Sequence, residues 1–200
     1  MFSYDKFLQY PINIKKCNPQ LANIIITQYG GPNGELGASL RYLSQRYMMP
    51  DDVTKGLLTD IGTEELGHLE MVGTLVTQLS DGAPPEEWLK MKSAEYYADN
   101  GASVFPQSAQ GSPFSAASIA VTGDPLTNLY EDLAAEQKAR AVYDNILRLS
   151  DDPDVNDVIK FLRQREIIHF QRFGEALDNL QSKLKHKPVF GKGIKGCNME

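Results

Sequence analysis

Apolar residues recur at helical spacing in four stretches of the chain, with polar residues between them. The first, roughly 19–47, carries Leu36, Leu40 and Leu43 in its second half. The second starts at Asp51 or Asp52 and runs to Leu79, enclosing Leu57, Leu58, Ile61, Leu69, Val72 and Val76. The third, 125–149, holds Leu129, Leu133, Val142, Ile146 and Leu149. The fourth, 153–180, holds Val158, Ile159, Leu162, Phe173 and Leu177. Three helix starts are written alike: Asn18-Pro19, Asp124-Pro125 and Asp152-Pro153 each set a capping side chain before a proline at the first helical position. Inside the first stretch, Gly30-Gly31-Pro32-Asn33-Gly34 breaks the helix. Glu35 should therefore open a fresh segment whose apolar stripe includes Leu36, Leu40 and Leu43.

The first and second helices are linked by a few residues, as are the third and fourth, so each pair should be antiparallel. Between the pairs lie 82–123, rich in Gly, Ala, Ser and Pro. That length suits the crossover of a ferritin-like four-helix bundle, with room for a lid or subunit contacts. The expected fold is thus all-α, one bundle domain over 1–181. Its first 17 residues should be extended, and 182–200 should form a basic, solvated tail.

A second periodicity is much longer. Glu35, Glu65 and His68 recur as Glu136, Glu166 and His169, a common displacement of 101 positions. Tyr42, seven residues past Glu35, recurs at the same displacement as Tyr143. With twelve glutamates and three histidines in the chain, random placement gives roughly 0.2 Glu-x-x-His pairs. Two are present, so a duplicated helix pair explains the spacing better than chance. Positions i and i+3 share a helix face, so each Glu-x-x-His pair points one way. Two such pairs, each with a glutamate from a neighbouring helix, form the ligand set known from dinuclear metal bundles.

Composition narrows the setting. A net charge of −6 and a pI near 5.1 argue against nucleic acid as the main partner. No apolar run approaches a membrane span; Ile24-Ile25-Ile26 is far too short. Met1-Phe2-Ser3-Tyr4-Asp5-Lys6 lacks the features of a secretion signal. Two isolated cysteines, Cys17 and Cys197, fit a reducing compartment. A cytoplasmic protein is expected.

Four glutamates among leucines need matching positive charge, or they stay protonated. Two divalent ions supply it. Carboxylates with one imidazole per metal make a hard ligand set, suited to manganese or iron and lacking the thiolates of structural zinc. The reaction class expected is two-electron chemistry on peroxide or dioxygen. Tyr42 and Tyr143 share faces with Glu35 and Glu136, where their hydroxyls can orient the carboxylates. Asp60, Glu64 and Glu70 fall elsewhere on the wheel and read as solvated or interhelix charges. His186 lies in the tail, away from the site. Met48, Met49 and Met71 read as packing.

The stretch Leu58-Thr59-Asp60-Ile61-Gly62-Thr63-Glu64-Glu65-Leu66-Gly67-His68-Leu69-Glu70-Met71 resembles the helix signature of the manganese (non-haem) catalases. Gly30-Gly31-Pro32-Asn33-Gly34-Glu35-Leu36 resembles their first-ligand turn. Leu8-Gln9-Tyr10-Pro11, Cys17-Asn18-Pro19 and 150–158 are similar, more narrowly, to the spore-coat, CotJC-type branch of endospore-forming bacteria. This resemblance implies a catalase that disproportionates hydrogen peroxide with two manganese ions cycling between +2 and +3. It implies that Glu65 bridges, that Glu35 and His68 complete one metal, and that Glu136 and His169 complete the other. It makes Glu166 a proton donor and acceptor, whereas spacing alone makes it a second bridge. It further implies a homo-oligomer, a hexamer in the family, and deposition in the spore coat beside other coat proteins. The sequence departs from the family in two places. Ala135 stands where better-studied members carry arginine, and the chain is shorter than the family's C-terminal arm requires. Two rival readings are a ferritin-like di-iron oxidase or peroxidase, and a structural coat protein with a metal-stabilised bundle.

Overall fold

The computed structural model describes residues 7–90 and 94–184; His186, Cys197 and the remainder of the tail lie outside these. The order is α1 (Pro19–Ile25), α2 (Thr27–Gly30), α3 (Glu35–Gln45), a 3₁₀ turn (Arg46–Met48), α4 (Asp52–Ser80), α5 (Pro85–Leu89), α6 (Ala94–Asn100), α7 (Pro125–Leu149) and α8 (Pro153–Leu184). No strand occurs among the described residues. Side-chain caps fix the starts as the sequence suggests. Asn18 accepts from the Leu21 N–H and Asp124 from the Thr127 N–H. Asp51, rather than Asp52, caps α4 through the Thr54 N–H. Asp152 accepts from the Asp154 N–H at the head of α8.

The helix expected over 19–47 is three helices and a 3₁₀ turn. Gly34, extended at φ −93°, ψ 172°, ends the break and hands the chain to α3 at Glu35. α2 ends where Gly31 turns extended (φ −71°, ψ 170°), and its last residue, Gly30, lies against crossover backbone: a Cβ there would meet the Gln107 nitrogen at 2.3 Å. The fourth helix continues beyond 180 to Leu184.

Two apolar layers divide the bundle. One joins α1, the second half of α4, the end of α7 and the start of α8, through Ile25, Val72, Leu75, Ile146, Ile159 and Leu162. The other joins α3, the start of α4, the start of α7 and the second half of α8, through Tyr42, Leu58, Ile61, Leu129, Phe173 and Leu177. Each fully buried aliphatic or aromatic side chain contributes ~1.5–3 kcal/mol. Glu65 and His68 fall between the two layers on α4, Glu136 on α7, and Glu166 and His169 on α8. A polar layer therefore sits inside an apolar bundle.

The stripe expected on α3 is not its inner face. Glu35, Ala38, Ser39, Arg41, Tyr42 and Gln45 are buried, whereas Leu40 is 37% exposed. Leu43 lies over Gly62 of α4, whose missing side chain admits it. The helix is turned because its inner face delivers Glu35 and Tyr42. Leu149, expected in the core, is also exposed, as is Met48, while Met49 and Met71 are buried. The crossover carries α5, α6 and a 3₁₀ turn at Ala116–Ser118. It is tied to α3 by Arg41 Nη2 donating to the Ser118 carbonyl (3.2 Å) and Gln45 Nε2 to that of Ala120 (2.8 Å).

Two glycine replacements should move stability in opposite directions. Gly30→Ala forces its methyl into the Pro106–Gln107 backbone and should cost about 1–3 kcal/mol. Gly56→Ala, mid-helix with nothing within 4 Å of the new methyl, should gain about 0.4–1 kcal/mol. Denaturant unfolding at one fixed metal content measures both.

Candidate metal centre

Glu35, Glu65, His68, Glu136, Glu166 and His169 converge from α3, α4, α7 and α8, and none is more than 1% exposed. Their ligand atoms form two sets: Glu35, Glu65, His68 and Glu166, and Glu65, Glu136, Glu166 and His169, each with all its atoms within 4.8 Å of one another. Glu65 and Glu166 belong to both. The geometry brings these six side chains together.

Glu65 is central. Its Oε2 lies 2.8 Å from His68 Nδ1 and its Oε1 2.8 Å from His169 Nδ1. Glu35 Oε2 approaches the first nitrogen at 3.9 Å, and Glu136 Oε2 the second at 3.8 Å. The imidazole rings stack with centroids 5.6 Å apart. Both Nδ1 atoms thus face the pocket and both Nε2 atoms face away.

The tyrosines pair crosswise. Tyr42 donates to Glu136 Oε1 at 2.7 Å, and Tyr143 donates to Glu35 Oε1. Each hydroxyl thus holds the glutamate of the opposite half of the repeat. Burial, then Glu136 and Asp132, pushes Tyr42 well above the usual phenol range. Burial, then Glu35 and Glu166, does the same for Tyr143. Both remain neutral donors.

Protonation follows from burial and crowding. Burial, then the Glu35 charge, pushes Glu166 well above the ordinary carboxylate range. Glu35 is raised by burial and then Glu65, and Glu136 is raised chiefly by burial. Burial would raise Glu65 too, but His169 and His68 override it and hold the group low. Burial would lower the imidazoles. The Glu65 carboxylate, joined by Glu64 and by Glu35 or Glu136, instead lifts His68 to about 10 and His169 to about 12. Negative charge is therefore favoured on Glu65, between the two imidazoles, while the other three carboxyls are shifted toward their neutral forms.

This chemistry fits a pair of cations. Glu136 Oε2 and Glu166 Oε1 are buried without an aligned hydrogen-bond partner and belong to the same set, so two carboxylate oxygens there are left free to take a cation. Hard carboxylate oxygens dominate, and no cysteine joins either set.

Sequence reading missed how much Glu64 does. It pairs across helices with Arg165, as an interhelix charge should, and Asp60 pairs likewise with Arg172. Glu64 also lies 3.5 Å from His68 Nε2 and 3.1 Å from His169 Nε2. The long repeat held a signal: Arg165 occupies the position equivalent to Glu64, with opposite charge. Asp132, one turn before Glu136, was also missed. It is buried, and burial raises it well above its usual range.

The model of the family described as manganese containing catalase matches residues 1–193. The chain is 50% identical over 190 residues to the protein CotJC of Bacillus subtilis, covering 95% of this chain and 100% of that one. It is 35% identical over 189 residues to a probable manganese catalase of Clostridium acetobutylicum, covering 94% and 84%. The crystal structure of KatB, a manganese catalase from Anabaena, superimposes with a TM-score of 0.85 at 34% identity, covering 96% of this chain and 85% of that one. A thioferritin from Bacteroides fragilis shares the ferritin-like bundle alone, with a TM-score of 0.55 at 15% identity over 85% of this chain. The fold, the buried carboxylate–imidazole sets and these relatives agree: the protein belongs to the manganese-containing catalase family.

Proposed function

We propose that the protein is a dimanganese catalase that disproportionates hydrogen peroxide to water and oxygen. The observation that carries this reading is the pair of carboxylate–imidazole sets sharing Glu65 in a buried layer. Glu35 and His68 would hold one ion, Glu136 and His169 the other, and Glu65 both. When held there, a manganese pair cycling between +2 and +3 would supply two electrons to one peroxide and recover two from the next.

The side chains handle protons and water. Glu166 Oε1 has no hydrogen-bond partner, and burial with the neighbouring carboxylates shifts the group toward its protonated form. Reducing one peroxide to two waters consumes two protons, and oxidising the next to oxygen releases two. Glu166 would carry one of each pair, giving it to the leaving hydroxide and taking one back, while the other passes through the product water. Tyr42 and Tyr143 keep Glu136 and Glu35 from rotating away. Apolar layers on both sides exclude bulk water from the reacting atoms.

One observation favours a second reading. Glu166 falls in both sets, just as Glu65 does, which supports a role as a second bridge of the kind found in ferritin-like di-iron oxidases and peroxidases. The half-identical CotJC relative supports deposition in the spore coat, in contact with other coat proteins. A homo-oligomer, hexameric by likeness to the family, completes the proposal. Among the described residues no helix is long and apolar enough to cross a membrane.

Two outcomes test the chemistry. Manganese-loaded protein should approach two ions per chain and release oxygen from peroxide. Glu166→Gln should keep that metal content while oxygen release falls about 10²–10⁴-fold; Glu65→Gln should lose both. Metal loss in Glu166→Gln equal to that in Glu65→Gln would instead make Glu166 a ligand and favour the di-iron reading, checked by reconstitution with iron.

Charge matching sets a pH response. The imidazoles have folded-state values above their ordinary 6.5, so their stabilisation is full below that pH and is lost as pH rises through about 10 and 12. Glu35, Glu136 and Glu166, also raised, act with the same sign. Metal-free protein should therefore melt at lower temperature at about pH 9 than at about pH 6. Bound cations replace those protons and should flatten the slope, which paired melting curves with chelator and with manganese will reveal.

A further inference from the structure

We propose that Glu64 is a positioning residue for both metal sites at once, a clasp that turns the two imidazoles so their Nδ1 atoms face the pocket. The inference rests on the dimetal reading above and concerns a residue that no part of that reading uses.

An imidazole on a helix can rotate about its side-chain bonds, and which nitrogen faces inward depends on what holds the other. Here one carboxylate stands behind both rings. Glu64 Oε2 accepts from His169 Nε2 at 3.1 Å, and Oε1 lies 3.5 Å from His68 Nε2, at ion-pair distance. Holding an imidazole by its outer nitrogen fixes both its tautomer and its orientation as a ligand.

The clasp is itself held. Arg165 of α8 donates from Nε to Glu64 Oε1 at 2.7 Å and from Nη2 to Oε2 at 3.1 Å, a two-point fork that fixes the carboxylate plane. Gln9 of the N-terminal segment donates to Oε1 at 2.8 Å. That segment is anchored on α4 and α8. Gln78 accepts from the Ile14 N–H and donates to the Ile12 carbonyl, and Tyr10 stacks on Phe161 with centroids 5.0 Å apart. With Glu65 in front of both rings and Glu64 behind them, adjacent residues of α4 set the direction of two imidazoles on two helices. Disturbing Glu64 should therefore loosen both sites together, whereas removing one histidine weakens one.

Manganese titration followed by metal content and low-temperature electron paramagnetic resonance separates the cases. Wild-type protein should take two ions and give the signal of a coupled pair. Glu64→Gln should weaken both sites about 10–100-fold and replace that signal with uncoupled manganese, and Glu64→Asp should recover part of it. Asp60→Asn breaks the Arg172 pair across the same two helices without touching either ring, and should bind as wild type does. If Glu64→Gln fails to fold, Gln9→Ala, which removes one hydrogen bond from the clasp, should shift both sites in the same direction by less. Wild-type affinity and signal in Glu64→Gln, or in Gln9→Ala where that substitute is needed, overturns the clasp, as does weakening of one site alone. Fewer than two ions in wild-type protein overturns the dimetal reading, and the clasp with it.

Discussion

The grip of the Glu65 carboxylate on two imidazoles, inside a layer with almost no solvent contact, is the constraint around which the bundle is arranged. An isolated charge there is costly, and breaking a buried pair by removing one partner typically costs about 3–5 kcal/mol. The pair is therefore tolerable only with both rings at hand, from two different helices. That requirement fixes the register of α4 against α8. The remaining carboxylates then need either protons or cations, and the geometry accepts both.

Keeping such a layer dry requires apolar mass above and below it, and the chain supplies this from the same four helices. The residues before and after each ligand along α4, α7 and α8 belong to opposite apolar layers. The crossover and the N-terminal segment serve a different purpose. They run along helix surfaces and bring backbone carbonyls and a glutamine to polar side chains such as Arg41, Gln45 and Glu64. Irregular chain here satisfies polar groups that a helix neighbour could not reach.

Much of this was legible in the sequence. The long helices α4, α7 and α8 showed apolar periodicity, and two of them opened on a capping side chain and a proline. The six converging residues showed because duplication repeated their spacing. The face of α3 was misread for a physical reason: its inner side carries Glu35, Arg41, Tyr42 and Gln45, so hydrophobicity pointed to leucines that lie outside or astride Gly62. Glu64 was hidden for another. Its helical-wheel position places it beside the site, and only the direction of the two rings, a tertiary property, turns their outer nitrogens toward it. The crossover's short helices α5 and α6 pack on each other, and α5 on α1, tertiary contacts that local composition does not express.

The crosswise tyrosines have a consequence for how this molecule is assembled. Tyr42 reaches the glutamate of the second repeat and Tyr143 that of the first, the reciprocity of an isologous contact between two like subunits. Residues equivalent under that exchange meet one another on its axis, as His68 and His169 do in their stack. Glu64 and Arg165 are also equivalent positions, and they too meet. Two identical subunits would set glutamate against glutamate there, or arginine against arginine, and repel. Joining the halves in one chain lets the axial position carry opposite charges, so the covalent link permits an ion pair that symmetry would forbid.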